Sequence, residues 1–175
     1  MSKKIIVLSG KQFSGKDTVA KFLLEFLPDF IRIGLGDAIK LEYGKQKNLT
    51  LEEIENNKSR YRADLIGLGD WGRAQDPDYW LKKIIEQEKN VIVPDMRVPH
   101  EMQVFKENGA ISVRVESPQS QRARRGFLVK EDDPTETLLD EVTDWDFMVA
   151  NDGTLEDLKD KSKVLAQDIM KKFTM

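Results

Sequence analysis

Cysteine is absent from the chain, so neither a disulfide framework nor a thiolate metal centre can be built from it. Histidine occurs once, at His100, which opens a helical stretch with Met102, Val104 and Phe105. No partner for it is identifiable in the sequence, and it reads as structural. Long apolar runs are missing as well. The N-terminal one ends at Leu8 in a glycine-bounded loop, too short for a signal peptide or a membrane span, so a soluble, cytoplasmic protein is expected. Nor is there an excess of positive charge. Lysine and arginine number 28 against 31 acidic residues, a net of −3, which argues against a general nucleic-acid binder while allowing a local basic pocket. Internal repeats and low-complexity linkers are also missing, and 175 residues suffice for one domain with a sizeable core. No heptad or large apolar stripe fixes an assembly, and a dimer is left open.

What is present is organised around Lys4 to Thr18. Ile5 to Leu8 have the composition of a strand buried on both faces. Gly10 then opens a loop that closes on Gly15-Lys16, and apolar residues recur at helical spacing through Val19, Phe22, Leu23, Phe26 and Leu27. Strand, glycine-bounded loop with lysine, then helix is the context of a phosphate-binding P-loop. Glycines let successive N–H groups turn into one anion-sized concavity, and the helix adds its unpaired N–H groups and positive dipole end. Lys16 can then reach the β- and γ-phosphates of a nucleoside triphosphate. Asp17 stands where serine or threonine is usual, and its carboxylate could hold Mg²⁺, with Thr18 next in line.

The rest of the chain alternates strands with helices. Phe30–Ile33 reads as a second strand, leading through Asp37 and Lys40 into a helix with Leu41 and Tyr43. Thr50 caps Leu51 to Ile54 as a capping box. Lys58 to Arg73 reads as a longer helix with Tyr61, Leu65 and Leu68 on its apolar stripe. Lys58, Arg60 and Arg62 cluster at its start, opposing the helix dipole, a liability that a bound anion would offset. Asp76-Pro77-Asp78 is expected to start another helix, capped by Asp76, with Tyr79, Trp80, Ile84 and Ile85 in the core. Val91–Val93 is a third strand ending in Pro94-Asp95-Met96-Arg97, where Asp95 suits a Mg²⁺-coordinating carboxylate and Arg97 faces the same crevice. Ile111–Val115 and Phe147–Ala150 complete five strands. Between these two strands lies a basic segment with Arg122, Arg124 and Arg125, read as a weakly anchored cover that orders on phosphates. A final amphipathic helix runs through Leu155, Leu158, Val164, Leu165 and Ile169.

The pattern implies an α/β fold: an open parallel sheet with helices on both faces and ligands beyond the carboxyl ends of the strands. Gly10–Thr18, Asp37–Lys40, Asp95–Arg97, Arg122–Arg125 and Asn151 all follow strands and are expected to meet on that edge.

Leu8-Ser9-Gly10, Ser14-Gly15-Lys16-Asp17-Thr18, Asp37-Ala38-Ile39-Lys40, Ile92 to Arg97, His100-Glu101-Met102 and Asn151-Asp152-Gly153 resemble bacteriophage deoxynucleoside monophosphate kinases. The same blocks are similar to animal-type phosphomevalonate kinases, which also match the Arg62 helix, the Arg73 to Pro77 segment and Arg125-Gly126. The resemblance implies a P-loop nucleoside-monophosphate-kinase fold with five parallel strands, an acceptor-binding insertion at about 37–75 and a lid at about 117–134. It implies ATP held by Gly10, Lys11, Ser14, Gly15, Lys16, Asp17 and Thr18, with Asn151 near the adenine and Mg²⁺ near Asp17 and Asp95. It implies acceptor binding by Asp37, Lys40, Arg60, Arg62, Arg73, Asp95 and Arg97, and catalysis by Lys16, Arg97 and the lid's Arg122, Arg124 or Arg125. Relatives carry further basic residues where Gln12 and Phe13 stand here, which shifts weight to Lys11 and the lid arginines. The implied reaction is phosphoryl transfer from ATP to a deoxynucleoside monophosphate. A phosphomevalonate or other small-phosphate kinase, and a P-loop protein that binds nucleotide without turnover, are the alternatives.

Overall fold

The computed structural model describes residues 2–175. Its sheet contains β1 (Ile5–Ser9), β2 (Phe30–Arg32), β3 (Asn90–Val93), β4 (Ile111–Glu116) and β5 (Phe147–Ala150) in the order β2-β3-β1-β4-β5. Every pairing is parallel, with Val7 opposite both Val93 and Ser112. The apolar runs seen in the sequence form the central strands. All five residues of β1 are buried, as a parallel strand covered on both faces requires.

Helices supply the cover. α1 (Lys16–Phe26) packs Val19, Ala20, Phe22 and Leu23 with Ile6, Leu8, Val113 and Val115. α9 (Leu155–Thr174) joins the same cluster through Leu158, Leu165, Ala166 and Ile169. Leu155 and Val164, expected on its apolar stripe, are instead exposed. The stripe that packs starts one turn later and includes Ala166, whose small side chain carries little periodic signal. α6 (Pro99–Glu107) lies against β1 and β4 through Met102 and Phe105, and leaves His100 exposed.

The chain divides into two compact units, one built from residues up to Arg32 and from Glu88 onward, the other spanning Ile33–Gln87. The range 37–75, expected as an acceptor-binding insertion, lies within this second unit. The unit is all helical: α2 (Leu35–Lys47), α3 (Leu51–Asn56), α4 (Lys58–Gln75) and α5 (Tyr79–Ile85). The Thr50 capping box forms as expected, with the hydroxyl accepting from the Glu53 N–H and the Glu53 carboxylate accepting from the Thr50 N–H. α5 begins at Tyr79, so Pro77 lies outside it. Asp76 instead accepts from the Asp78 N–H at 2.9 Å, a turn that competes with capping. Trp80 anchors this unit, donating from its indole N–H to the Gly69 carbonyl at 3.0 Å and stacking on Gly72.

Between β4 and β5 run two short helices, α7 (Gln119–Arg125) and α8 (Pro134–Thr137). No helix among the described residues is long and apolar enough to cross a membrane.

Candidate active site

The loop from Gly10 to Lys16 joins β1 to α1 and takes a conformation that its glycines make available. Gly15 has φ of +99°, and a Cβ there would overlap the Asn151 carboxamide. A Cβ on Gly10 would stand 2.6 Å from the Val115 carbonyl. Asn151, at the exit of β5, donates to the Ser14 carbonyl at 2.9 Å and is buried, so it braces the loop from beneath. Lys16 folds back and donates to the Gly10 carbonyl at 3.0 Å. Burial lowers its pKa below the ordinary lysine range; Arg97 acts in the same direction, while Asp17, Glu136 and Asp95 oppose it. Those four charges therefore all act on one amine. The Ser14 hydroxyl is buried without a hydrogen-bond partner, an arrangement that a phosphate oxygen would satisfy.

The carboxylates and arginines expected nearby are placed as follows. Asp17 is exposed at the start of α1, 3.7 Å from Arg32, and Thr18 follows it in the same turn. Asp95 and Arg97 sit in the loop after β3, and both act on Glu101, whose pKa burial raises. Glu101 accepts the Arg97 and Val98 N–H groups at 2.9 and 3.2 Å, fixing the loop's path into α6. Arg122, far from being weakly anchored, is buried on α7, with Nε 3.2 Å from the Ser117 carbonyl and Nη1 2.9 Å from Glu131. Arg125 ties α7 to the loop through the Phe13 carbonyl at 2.8 Å and reaches the Asn151 carbonyl at 3.4 Å. Arg124 is exposed and makes no hydrogen bond or ion pair among the described residues.

Three groups here were not singled out in the sequence. Arg114, within β4, is buried between the Ser9 hydroxyl (3.0 Å) and Asp140 (3.2 Å), with its guanidinium over the Trp145 ring. Asp140 also accepts from Lys11 at 2.9 Å. Glu136 accepts the Gln12 N–H at 3.0 Å and lies 3.6 Å from Arg97. A charged residue inside the apolar run Ile-Ser-Val-Arg-Val was the available signal for Arg114; the two acidic residues carried none. Lys11, Ser14, Arg114, Ser117, Arg122, Asp140 and Asp152 line a cleft of about 540 Å³ beyond β4 and β5.

The Ile33–Gln87 unit carries a cleft of its own, about 660 Å³. Lys40, Lys58, Arg62 and Arg73 line it with Ser59, over Ile39, Leu65 and Ile66. Lys40 bonds Glu55 with Asp37 3.5 Å away; burial opposes its charge, but these partners leave its pKa above the ordinary value. Lys58 pairs with Glu55 at 2.7 Å, and Arg73 with Asp70 at 2.7 Å. Arg62 makes no ion pair or hydrogen bond among the described residues. Of the cations expected to hold the acceptor, Arg60 and Arg97 do not line this cleft: the Arg60 guanidinium lies over the Tyr61 ring, and Arg97 follows β3. Lys58, within the same basic cluster as Arg60, takes its place.

Comparison with known proteins matches both halves of this arrangement. The phosphomevalonate kinase family model covers residues 8–110, and the deoxynucleotide monophosphate kinase family model covers residues 71–162. Phosphomevalonate kinase of Drosophila melanogaster is 30% identical over a 173-residue alignment taking in 87% of this chain and 90% of that protein. Among solved structures, the fold is shared with shikimate kinase from Bacteroides thetaiotaomicron. The TM-score is 0.53 at 16% identity, covering 97% of this chain and 99% of that one. Shikimate kinase from Aquifex aeolicus vf5 gives a TM-score of 0.51 at 18% identity, covering 94% of this chain and 96% of that one. The chain therefore belongs to the phosphomevalonate kinase and deoxynucleotide monophosphate kinase families, and it is a kinase of the P-loop type.

Proposed function

We propose that the protein transfers the γ-phosphoryl group of ATP onto the phosphate of a phosphorylated acceptor, and that this acceptor is of the phosphomevalonate class. The observation that carries the acceptor is the cleft of the Ile33–Gln87 unit. It offers four cations over aliphatic side chains, with neither an aromatic ring nor a carboxamide in its lining to read a base. Its charge suits an acceptor with more than one anionic group. The phosphomevalonate kinase family model spans that entire unit, whereas the deoxynucleotide monophosphate kinase model begins at residue 71. A deoxynucleoside monophosphate acceptor is the second reading, supported by the latter model's coverage of Asp95, Arg97 and Asn151.

The donor side follows from the loop. Gly10 to Thr18 would take the triphosphate, with Lys16 on the β- and γ-oxygens and the unpartnered Ser14 hydroxyl donating to one of them. Asp17 and Asp95, both acting on Lys16, fit a magnesium ion brought in with the nucleotide, since that ion takes one or two carboxylates and keeps its waters. When bound, it would neutralise charge on the β- and γ-phosphate oxygens. The attacking acceptor oxygen is already anionic, so no general base is needed. The work of the side chains is to align the reactants and place cations around the transferred group. Lys16, Arg97, Arg122 and Arg125 are the groups for that role.

ADP release with Mg-ATP and an acceptor panel, with products identified by mass, tests this. Mevalonate diphosphate formed from phosphomevalonate is the expected product. Diphosphates formed only from deoxynucleoside monophosphates would replace the acceptor, and ATP binding with no acceptor turned over would overturn the reading.

A further inference from the structure

The stretch 127–140 makes an unusual set of contacts with the phosphate loop. Its three acidic anchors each hold a cation assigned above to phosphates or to the loop: Glu131 holds Arg122 (2.9 Å), Glu136 faces Arg97 (3.6 Å), and Asp140 holds Lys11 (2.9 Å). Glu136 goes further, because its second oxygen accepts the Gln12 N–H at 3.0 Å, as a phosphate oxygen would in such a loop. The Gln12 carboxamide adds a reciprocal pair with the Val129 backbone, donating to its carbonyl and accepting its N–H at 3.1 Å. Polar contacts thus dominate this attachment. The same stretch leaves Phe127, Val129 and Leu138 exposed, Phe127 at 87%, and Leu139 near its end is its one fully buried apolar side chain, so apolar burial holds little of it before Leu139.

We propose that residues 127–140 form an acidic strap whose carboxylates stand in for a polyphosphate on the ligand-free loop and that the donor must displace. This rests on the donor reading of the loop given above. Carboxylate and phosphate compete for the same guanidinium, ammonium and backbone N–H donors, so the two cannot be bound there together. The strap compensates the charge of Lys11, Arg97 and Arg122, and it sets the donor affinity by the strength of the contacts that must break. Glu136 is its central residue, because it alone touches both the loop backbone and the arginine after β3.

The test is calorimetric titration of inorganic tripolyphosphate and of Mg-ATP into the full chain, Glu136→Gln, Glu131→Gln and Lys16→Ala, each checked for native circular dichroism. Removing one strap charge is expected to tighten tripolyphosphate binding about two- to tenfold, the scale of one partly exposed ion pair. Lys16→Ala is expected to weaken it. Hydrogen exchange gives a second readout: tripolyphosphate should speed exchange of the Val129 amide. Unchanged or weaker binding in both Glu variants, or a Val129 amide that stays protected with tripolyphosphate bound, overturns the strap alone. If the wild-type chain binds neither probe, the donor reading itself falls.

Discussion

In the unit formed by residues up to Arg32 and from Glu88 onward, stability comes from a sheet whose central strands are buried on both faces. The Ile33–Gln87 unit has no strand among its residues and relies on a few anchors, chiefly Trp80, Ile54, Ile84 and Tyr43, while Ile66 and Trp71 stay about half exposed. Their cations differ in the same sense. Around the phosphate loop Lys16, Arg114 and Arg122 are buried and held by several partners, whereas the cations of the helical cleft are more exposed, and Arg62 is not held by a carboxylate among the described residues. On the proposed function, these contrasts would divide the molecule into a firmly held cradle for the polyphosphate and a more exposed, partly apolar cleft for the acceptor.

Several substitutions would break or sharpen that contrast. Trp80→Ala removes the main anchor of the helical unit and is expected to cost about 3–5 kcal/mol, measured by denaturant unfolding. Hydrogen exchange should then rise in residues 33–87 before it rises in β1 and β4. Equal loss of protection in both would show that the two units share one stability. Lys16→Ala should leave unfolding nearly unchanged yet reduce kcat/KM by about 10²–10³, the scale for deleting one group that stabilises developing charge. Full turnover in this variant would remove the loop from the chemistry.

Asp146 offers a third test, within the sheet-bearing unit. It accepts from the Ser112 N–H (2.8 Å) and hydroxyl (2.9 Å) and pairs with Lys172 (2.8 Å), joining the β4–β5 edge to α9. Burial disfavours its charge, but Lys172 and Ser112 outweigh it, and the folded pKa lies below the ordinary aspartate value of 3.8. Its stabilisation is thus complete above pH 3.8 and is lost as pH falls through the folded pKa. Asp146→Asn should cost about 1–3 kcal/mol at neutral pH and flatten the acid limb of the stability profile. An unaltered acid limb would show that other carboxylates carry it. The smallest effect is expected for Arg62→Ala: a rise in acceptor KM of about tenfold, the scale of one lost charge-assisted hydrogen bond, with KM for ATP unchanged. A change confined to ATP would misplace the helical cleft.

Much of the sheet was legible because its signals are local. Ile5–Leu8, Val91–Val93 and Phe147–Ala150 read as strands from consecutive apolar residues, and Thr50 announced its helix through Glu53 three positions on. The loop from Gly10 to Lys16 was legible for the same reason, and Gly15 indeed takes the positive φ that such a loop requires. Glu136 and Asp140 were not legible. They lie in a stretch with no apolar period, and their partners Gln12 and Lys11 are more than a hundred residues away in sequence. Arg60 and Lys58 show the remaining limit. Composition marked the cluster, but only the helix's rotation decides which of two neighbouring cations lines the cleft and which lies on Tyr61.

The central claim is direct transfer between two phosphates, and the most direct test follows the γ-phosphoryl group itself. The protein would be incubated with γ-¹⁸O-labelled ATP, magnesium and phosphomevalonate or a deoxynucleoside monophosphate, and all phosphorus species would be resolved by mass spectrometry. The account predicts the label in the terminal phosphate of the acceptor's diphosphate product, matched by unlabelled ADP. Label appearing only in inorganic phosphate would contradict it, because the chain would then hydrolyse ATP rather than pass its phosphoryl group to an acceptor.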